Sequence, residues 1–464
     1  MYSTIYVPSI LLDEMQKFYN RELHLKELRD ISDNTEESKG RLSVVVGRRR
    51  VGKTRLLNEV FKEVAHKHIY LFISRKSESA LVSEFSAIIE SVLNTKFFHP
   101  ESLKDIFEYL LDYSTKTPIT VVIDEFQDIE RVNNSLFSDL QNLWDSYKNK
   151  SMMHLVCCGS LYNLMTKIFK GEKQPLLNRD DHFFKINPLA PSYIKAIMQD
   201  NDKYNANDLL VWWCLSGGIP KYLEWLNNSG TTPLEKLISN SSPLIKEGMH
   251  RLVEDFGSEH RAYFDVLGAI ANGYNSRPRI ESYLNTSVGV NLEKLEKDFD
   301  IINKLRPITA KDNSRDIRYK IADEFLSFWF RFIYSNRSAV EIENYDFIKR
   351  IIDRDFDTYS GIQLEELFKS ILAESKLFNN IGSYWDSKGE DEIDIVAIDD
   401  FDKKILIAEV KRRYKRYSEA KLIIKSKSLL QNLNKKGYKV YYQAFTLDNL
   451  DEILLEFSSS KGKH

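Results

Sequence analysis

The residues Gly47-Arg48-Arg49-Arg50-Val51-Gly52-Lys53-Thr54 form the densest piece of potential chemistry in the sequence. Glycines at both ends let successive backbone N–H groups turn to one side, where they can cradle phosphate oxygens. Lys53 then reaches the β- and γ-phosphates of a nucleotide, and the Thr54 hydroxyl is placed to ligate Mg2+. The context is the one this pattern requires. Residues 42–46 are a short apolar run, and Leu56, Leu57, Val60, Phe61 and Val64 recur behind the loop at helical spacing. A strand, a phosphate loop and a helix N-terminus follow one another, so the loop reads as an ATP site.

Asp124 and Glu125 stand at the end of a second apolar run, 119–123. A carboxylate there can hold magnesium through water, and its neighbour can polarise the attacking water. Acidic residues at strand ends are often merely solvated, but the preceding phosphate loop gives this pair a task. Ser160 follows the run 155–158 and Gly159. It reads either as a polar sensor of the γ-phosphate or as a simple turn serine.

A second constellation lies near the C-terminus. Asp394 falls in the strand-like run 392–398, and Glu409 and Lys411 end the run 404–410 on one face, two residues apart. Two carboxylates and a lysine can bind Mg2+ and position a water against a phosphodiester. Glu365, in the preceding helical stretch, can support such a site from the side. Between positions 403 and 427 ten Lys and Arg residues face only Glu409 and Glu419. This excess is the clearest nucleic-acid signal in the chain, and the alternative is a solvated helix face.

The elements that must position these residues are legible as a pattern. The chain has 464 residues, 42% hydrophobic and 29% charged, with a net charge of −2. That is room for about three domains and carries no global field for nucleic acid or membrane. Cys157, Cys158 and Cys214 are the three cysteines, too few for a four-thiolate zinc site or a disulfide framework. No signal peptide and no membrane span are legible, so a cytoplasmic protein is expected.

Strand-like runs at 42–46, 68–74, 119–123, 155–158 and 182–186 alternate with helical stretches, which predicts an α/β core with a parallel sheet over 1–190. A helical lid is expected over 191–255 and a winged helix over 256–334, its third helix near 291–302. The aromatic stretch 323–333 reads as a core helix and 335–343 as a linker. In 335–464 the expected order is helix 361–375, strands 381–385, 392–398 and 404–410, helix 418–433 and strand 438–445.

The phosphate loop, the opening Phe18-Tyr19-Asn20-Arg21-Glu22, Asp124-Glu125-Phe126 and Gly217-Gly218-Ile219-Pro220-Lys221-Tyr222 together resemble the archaeal-type ATPases of the STAND/AAA+ superfamily. The resemblance implies that Arg21 lies near the nucleotide base and that the Gly218–Pro220 turn belongs to the lid. It also implies an arginine finger or a surface arginine at Arg179. The C-terminal order and its Asp394, Glu409 and Lys411 resemble the PD-(D/E)xK nuclease superfamily, which implies a restriction-endonuclease-like domain.

The expected protein is an ATP-hydrolysing switch or motor with a metal-dependent, nuclease-like domain that binds nucleic acid, DNA ahead of RNA, through 403–427. A signalling ATPase whose C-terminal domains only bind partners is the alternative, and a homo-oligomer stays open. The expected recognition helix of the winged helix carries Glu293, Glu296, Asp298 and Asp300 against Lys294 and Lys297. It therefore reads as a spacer or protein-contact module before a DNA reader.

Overall fold

The structure is a computed structural model and describes residues 17–37, 39–96, 98–228, 234, 238–239, 242–256, 260–311, 313–386 and 391–458. The first sixteen residues and the Arg416 side chain, part of the basic stretch, lie outside that description. The chain divides into two compact units, residues 1–187 and 188–464.

In the first unit β1 (Arg41–Val46), β2 (Lys67–Phe72), β3 (Ile119–Asp124), β4 (Met153–Gly159) and β5 (His182–Lys185) form one sheet in the order β2-β3-β4-β1-β5. Every pairing is parallel. Both faces are covered, which is why these strands read as continuous apolar runs rather than alternating ones. Val44, Val46, Val121, Ile123 and Cys157 pack on one side. Their neighbours Val45, Val122, Val156 and Cys158 pack on the other, as a side-chain period of two demands. Helices α1 (Glu22–Asp33), α2 (Lys53–Phe61), α3 (Glu78–Leu93), α4 (Leu103–Tyr113), α5 (Leu136–Tyr147) and α6 (Tyr162–Lys170) supply the apolar residues that face the sheet.

The second unit opens with α7 (Pro191–Asp200), α8 (Ala206–Ser216) and α9 (Pro220–Asn228). The turn between α8 and α9 needs its glycines. Gly217 and Gly218 have φ of +54° and +79°, and a Cβ on Gly218 would stand 2.0 Å from the Leu189 carbonyl oxygen. Next come α10 (Pro243–Phe256), α11 (His260–Ala271), α12 (Arg277–Leu284) and α13 (Gly289–Lys297), then an antiparallel ribbon of β6 (Ile302–Leu305) and β7 (Arg318–Ile321). The third helix of this group, expected to reach residue 302, ends at Lys297. Asp300 adopts φ +52° and turns the chain, so Ile302 opens a strand instead.

The aromatic stretch is helical as expected. It runs from α14 (Glu324–Phe328) into a π-helical turn (Trp329–Ile333), with Phe325, Phe328, Trp329, Phe330 and Phe332 all buried. The helix expected to start at 361 starts sixteen residues earlier, as α15 (Tyr345–Ser375). Asn344 caps its first turn, and Gly361 sits mid-helix with open space where a side chain would be, so nothing breaks the helix there. Strands β8 (Asn380–Trp385), β9 (Glu392–Asp399), β10 (Lys404–Lys411) and β11 (Lys439–Thr446) form a sheet in the order β11-β10-β9-β8. Helices α16 (Glu419–Leu433) and α17 (Leu450–Ser458) complete the unit. Among the described residues no helix is long and apolar enough to cross a membrane.

The ribbon loop between β6 and β7 is committed to this last sheet. The Ile308 N–H donates to the Ser383 carbonyl at 2.8 Å on edge strand β8. Trp385 Nε1 donates to Asp316 Oδ1 at 2.9 Å, and the Arg318 guanidinium lies 4.3 Å from the Trp385 ring centroid. An exposed strand edge is thereby covered. Helices α7 and α8 and the turn between them also bind this half of the unit. Ser192 at the start of α7 donates to Glu374 of α15, while Lys195 and Tyr204 share Asp451 of α17.

One buried polar contact in the first unit sets a pH limit. His154 on β4 lies between Ser32 Oγ at 2.7 Å and Ser43 Oγ at 2.8 Å, fully buried. Burial, then His66 and His182, push its pKa from 6.5 to about 3. The contribution of the uncharged ring is therefore complete above pH 6.5 and is lost as pH falls toward 3. Relative to a His154→Gln variant, the wild type should lose about 1.4 kcal/mol of stability per pH unit below that point. Urea unfolding of both proteins at about pH 7.5 and about pH 5.5 measures the difference.

Candidate nucleotide and phosphodiester sites

Parallel pairing brings the ends of β1, β3 and β4 to one edge of the first sheet. Val46 is in register with Gly159, and the Gly47 N–H donates to the Gly159 carbonyl at 3.3 Å. A Cβ on Gly47 would fall 2.5 Å from the Ile186 carbonyl oxygen, so the loop can leave the sheet only through glycine. Gly52 has φ +95°, with open space where a side chain would stand, and it caps α2. This arrangement leaves the start of α2 open to a phosphate. Arg48, Arg49, Arg50 and Val51 span the loop, Arg50 at φ +66° and Val51 buried in the core. The Lys53 ammonium turns into the loop, donating to the carbonyls of Gly47 at 2.6 Å and Arg48 at 3.2 Å.

Asp124 closes β3 beside this loop. Its Oδ1 accepts from the Glu125 N–H at 2.9 Å, and its Oδ2 accepts from the Tyr70 hydroxyl of β2. The same hydroxyl lies 3.5 Å from Thr54 Oγ1. Thr54 and Asp124 are thus one hydroxyl group apart, a hard-oxygen donor set that fits Mg2+. Glu125 adopts φ +52°, and its Oε2 accepts from Ser160 Oγ at 2.7 Å and Gln127 Nε2 at 2.5 Å. Burial raises the Glu125 pKa, but Lys53, the two hydrogen bonds and Arg49 outweigh it, so the carboxyl ends below its ordinary value.

Gln127 and Tyr70 escape a sequence reading. A glutamine two residues past the strand and a mid-strand tyrosine carry no motif until the fold brings them in. Arg21 is buried, its guanidinium donating to the Asn187 carbonyl at 2.7 Å. Arg179 requires a correction. It pairs bidentately with Asp145 of α5, at 3.0 and 2.8 Å, and nearby Asp181 bonds Leu42, where β1 begins. That is the sheet edge opposite the phosphate loop, so Arg179 does not touch a nucleotide bound to its own chain.

The C-terminal constellation is built by a fork. Antiparallel pairing of β9 with β10 stops at Ile395 and Ala408. Past that point β10 continues alongside β11 as far as Lys411, while β9 stays with β8. Asp394, Glu409 and Lys411 line the opening. Asp394 Oδ2 accepts the Val410 N–H at 2.7 Å, and Lys411 Nζ lies 3.1 Å from Glu409 Oε1 and 3.8 Å from Asp394 Oδ2. Lys425 of α16, absent from the motif reading, approaches Glu409 Oε1 to 3.9 Å. Among the described residues no group of three His, Cys, Asp or Glu side chains could hold a metal ion. Asp394 and Glu409 remain a two-carboxylate pair, which suits Mg2+ because that ion keeps most of its water.

Neighbouring glutamates on α15 have opposite environments. Burial, then Asp394, raise the Glu365 carboxyl to about 8. Burial also opposes ionisation of Glu366, but Lys320 at 3.0 Å and Lys369 at 3.1 Å more than offset it and lower that pKa to about 2. Asp394 is raised by burial, against the Val410 N–H and Lys411.

The basic stretch does not form one patch. Lys403 and Lys404 lie at the far end of β10 from Lys411, and Lys404 pairs with Asp402 at 2.6 Å. Arg412 is held by Asp357 at 3.1 Å. Arg413, Lys415, Lys421 and Lys427 are exposed.

Residues 18–226 match a family described as an ATPase domain predominantly from Archaea, and residues 329–423 match a family of archaeal and bacterial proteins of unknown function. Residues 18–226 carry an ATPase domain of the archaeal type. An uncharacterized protein of Methanocaldococcus jannaschii is 28% identical over 439 residues, covering 92% of this chain and 94% of the relative. An uncharacterized ATP-binding protein of the same organism is 23% identical over 354 residues, covering 66% of this chain and 81% of the relative. Among solved structures, the Walker-type ATPase of Pyrococcus abyssi superposes with a TM-score of 0.53 at 22% identity, over 68% of this chain and 96% of that one. This likeness is one of fold.

The contrast on α15 is measurable in metal-free protein. A glutamate raised to about 8 loses stability as pH rises from the ordinary 4.5 through 8, whereas one lowered to about 2 contributes fully at neutral pH. In EDTA at about pH 7.5, Glu365→Gln should keep or raise the unfolding midpoint. Glu366→Gln should lower stability by about 3 kcal/mol, because it leaves Lys320 in a buried position with a weaker partner. Thermal unfolding of the two variants beside wild type checks the opposite signs.

Proposed function

We propose that the protein is an ATP-hydrolysing switch whose C-terminal unit carries a magnesium-dependent, nuclease-like site for nucleic acid, DNA in preference to RNA. The observation that supports it most is the fork at Ile395 and Ala408, which gathers Asp394, Glu409 and Lys411 beside exposed cations. A fold alone does not give an activity, so the reading rests on these side chains.

In the ATPase site Lys53 balances the charge of the terminal phosphates, and Thr54 and Asp124 hold magnesium. When bound, that ion offsets charge on the transferring phosphoryl group. Glu125, kept ionised, accepts a proton from the attacking water, and Ser160 and Gln127 fix its Oε2 so that the carboxylate keeps one orientation. Arg21 contributes on the base side of the nucleotide. In the C-terminal site Asp394 and Glu409 hold magnesium and Lys411 faces the attacked phosphate, while Glu365 backs Asp394 from α15. Arg413, Lys415, Lys421 and Lys427 meet the nucleic-acid backbone. The winged-helix-like segment acts as a spacer, since its ribbon loop is spent on β8.

A binding-only C-terminal unit is the second reading. It is favoured by Lys411 lying within ion-pair distance of both carboxylates, where it supplies the positive charge itself.

Two activities are measured on the same preparations, ATP turnover and magnesium-dependent cleavage of single- and double-stranded DNA and RNA, the latter with and without ATP. Lys53→Ala should lose tight ATP binding, and Glu125→Gln should bind ATP while hydrolysing it at least about 100-fold more slowly. Asp394→Asn and Lys411→Ala should lose cleavage and keep ATP turnover. Wild-type ATP turnover in Glu125→Gln would refute the ATPase assignment. Wild-type protein that cuts no substrate under any nucleotide condition leaves the binding-only reading in place.

A further inference from the structure

Tyr70 is not part of any phosphate-loop motif, yet its hydroxyl lies between the two side chains assigned to magnesium. It donates to Asp124 Oδ2 and stands 3.5 Å from Thr54 Oγ1. The ring issues from β2, in register with Val122 of β3, and packs half-buried on the core cluster that includes Val51, Leu56 and Leu57. The phenol is therefore anchored by the sheet, not by the loop. A phenol is uncharged at neutral pH, so Tyr70 acts here as an O–H donor.

A neutral donor aimed at a carboxylate competes with a cation for the same oxygen. A hydrated magnesium ion brings water donors and two positive charges to Asp124, but it must first displace the phenol. The Lys53 ammonium, meanwhile, donates to the Gly47 and Arg48 carbonyls.

We propose that Tyr70 is a positioning residue that holds Thr54 and Asp124 together before nucleotide arrives and blocks the divalent ion from binding alone. The ion then enters only with nucleotide, whose phosphates add the ligands and charge needed to displace the phenol from Asp124. This rests on the reading of Thr54 and Asp124 as the metal-holding pair. It goes further in assigning a residue that makes metal binding conditional on nucleotide.

The test is a titration of the nucleotide-free, full-length chain with Mn2+ alone, read by calorimetry. An Asp394→Asn background removes one carboxylate of the C-terminal pair and lowers that site's contribution. Tyr70→Phe keeps the ring and its packing and removes only the hydroxyl. It should bind Mn2+ about tenfold more tightly than its parent, and adding Asp124→Asn should abolish the gain. Binding of ATP in EDTA should stay within about twofold in Tyr70→Phe, which shows that the variant is folded and its loop intact. Mn2+ affinity that is unchanged or weaker in Tyr70→Phe overturns the proposal, since a phenol that merely helped to hold the ion would give that result. Asp124→Asn that leaves Mn2+·ATP affinity untouched overturns the metal-pair reading itself, and the proposal with it.

Discussion

A strand that joins a parallel sheet must leave it from the same edge as its neighbours, and this constraint decides where the reactive groups of the first unit lie. Gly47 and Ser160 are more than a hundred residues apart with Asp124 between them, yet each stands at or just past the end of β1, β3 or β4. The register of Val46 with Gly159 and of Ile123 with Cys157 brings those ends level. Every other feature of the site then acts locally. Glycine lets the loop pass Ile186, helix α2 offers its N-terminus, and a left-handed Glu125 turns its carboxylate toward Ser160 and Gln127. The same rule puts Arg179, which lies before β5, at the wrong edge for its own nucleotide.

The second unit solves a similar problem by separating strands instead of aligning them. Antiparallel β9 and β10 part after the Ile395–Ala408 register pair, and the space between them admits side chains from both. Charges there are balanced at short range. Lys411 serves two carboxylates, Lys320 and Lys369 hold Glu366, and Glu365 feels Asp394 as its strongest like charge. The ribbon loop and helix α7 fasten to this half of the chain through Ile308, Asp316, Ser192 and Lys195, contacts that join segments of very different sequence character.

Much of this was legible because the signals are periodic or punctuated. Five apolar runs gave five strands, since strands buried on both faces read as continuous apolar stretches, and the spacing of Gly47, Gly52, Lys53 and Thr54 is a phosphate loop in its required context. The order of elements after residue 361 also emerged, apart from α17. What stayed hidden depends on register and on side-chain reach. No spacing rule could bring Tyr70 to Asp124 or Lys425 to Glu409, because those meetings depend on neighbouring elements. The length of α15 was hidden by Gly361, read as a start although the helix passes through it. The basic stretch appeared continuous in sequence, but a strand of eight residues carries Lys404 far from Lys411.

The proposed switch requires that nucleotide at the phosphate loop change the state of the C-terminal site. Hydrogen exchange of the Val410 amide, which is bonded to Asp394, reports on that fork directly. A slowly hydrolysed ATP analogue with magnesium should change the exchange of peptides spanning β9 and β10 in wild type and leave Lys53→Ala unaltered. Identical exchange in wild type with and without the analogue, under conditions where binding is saturated, would contradict the coupling.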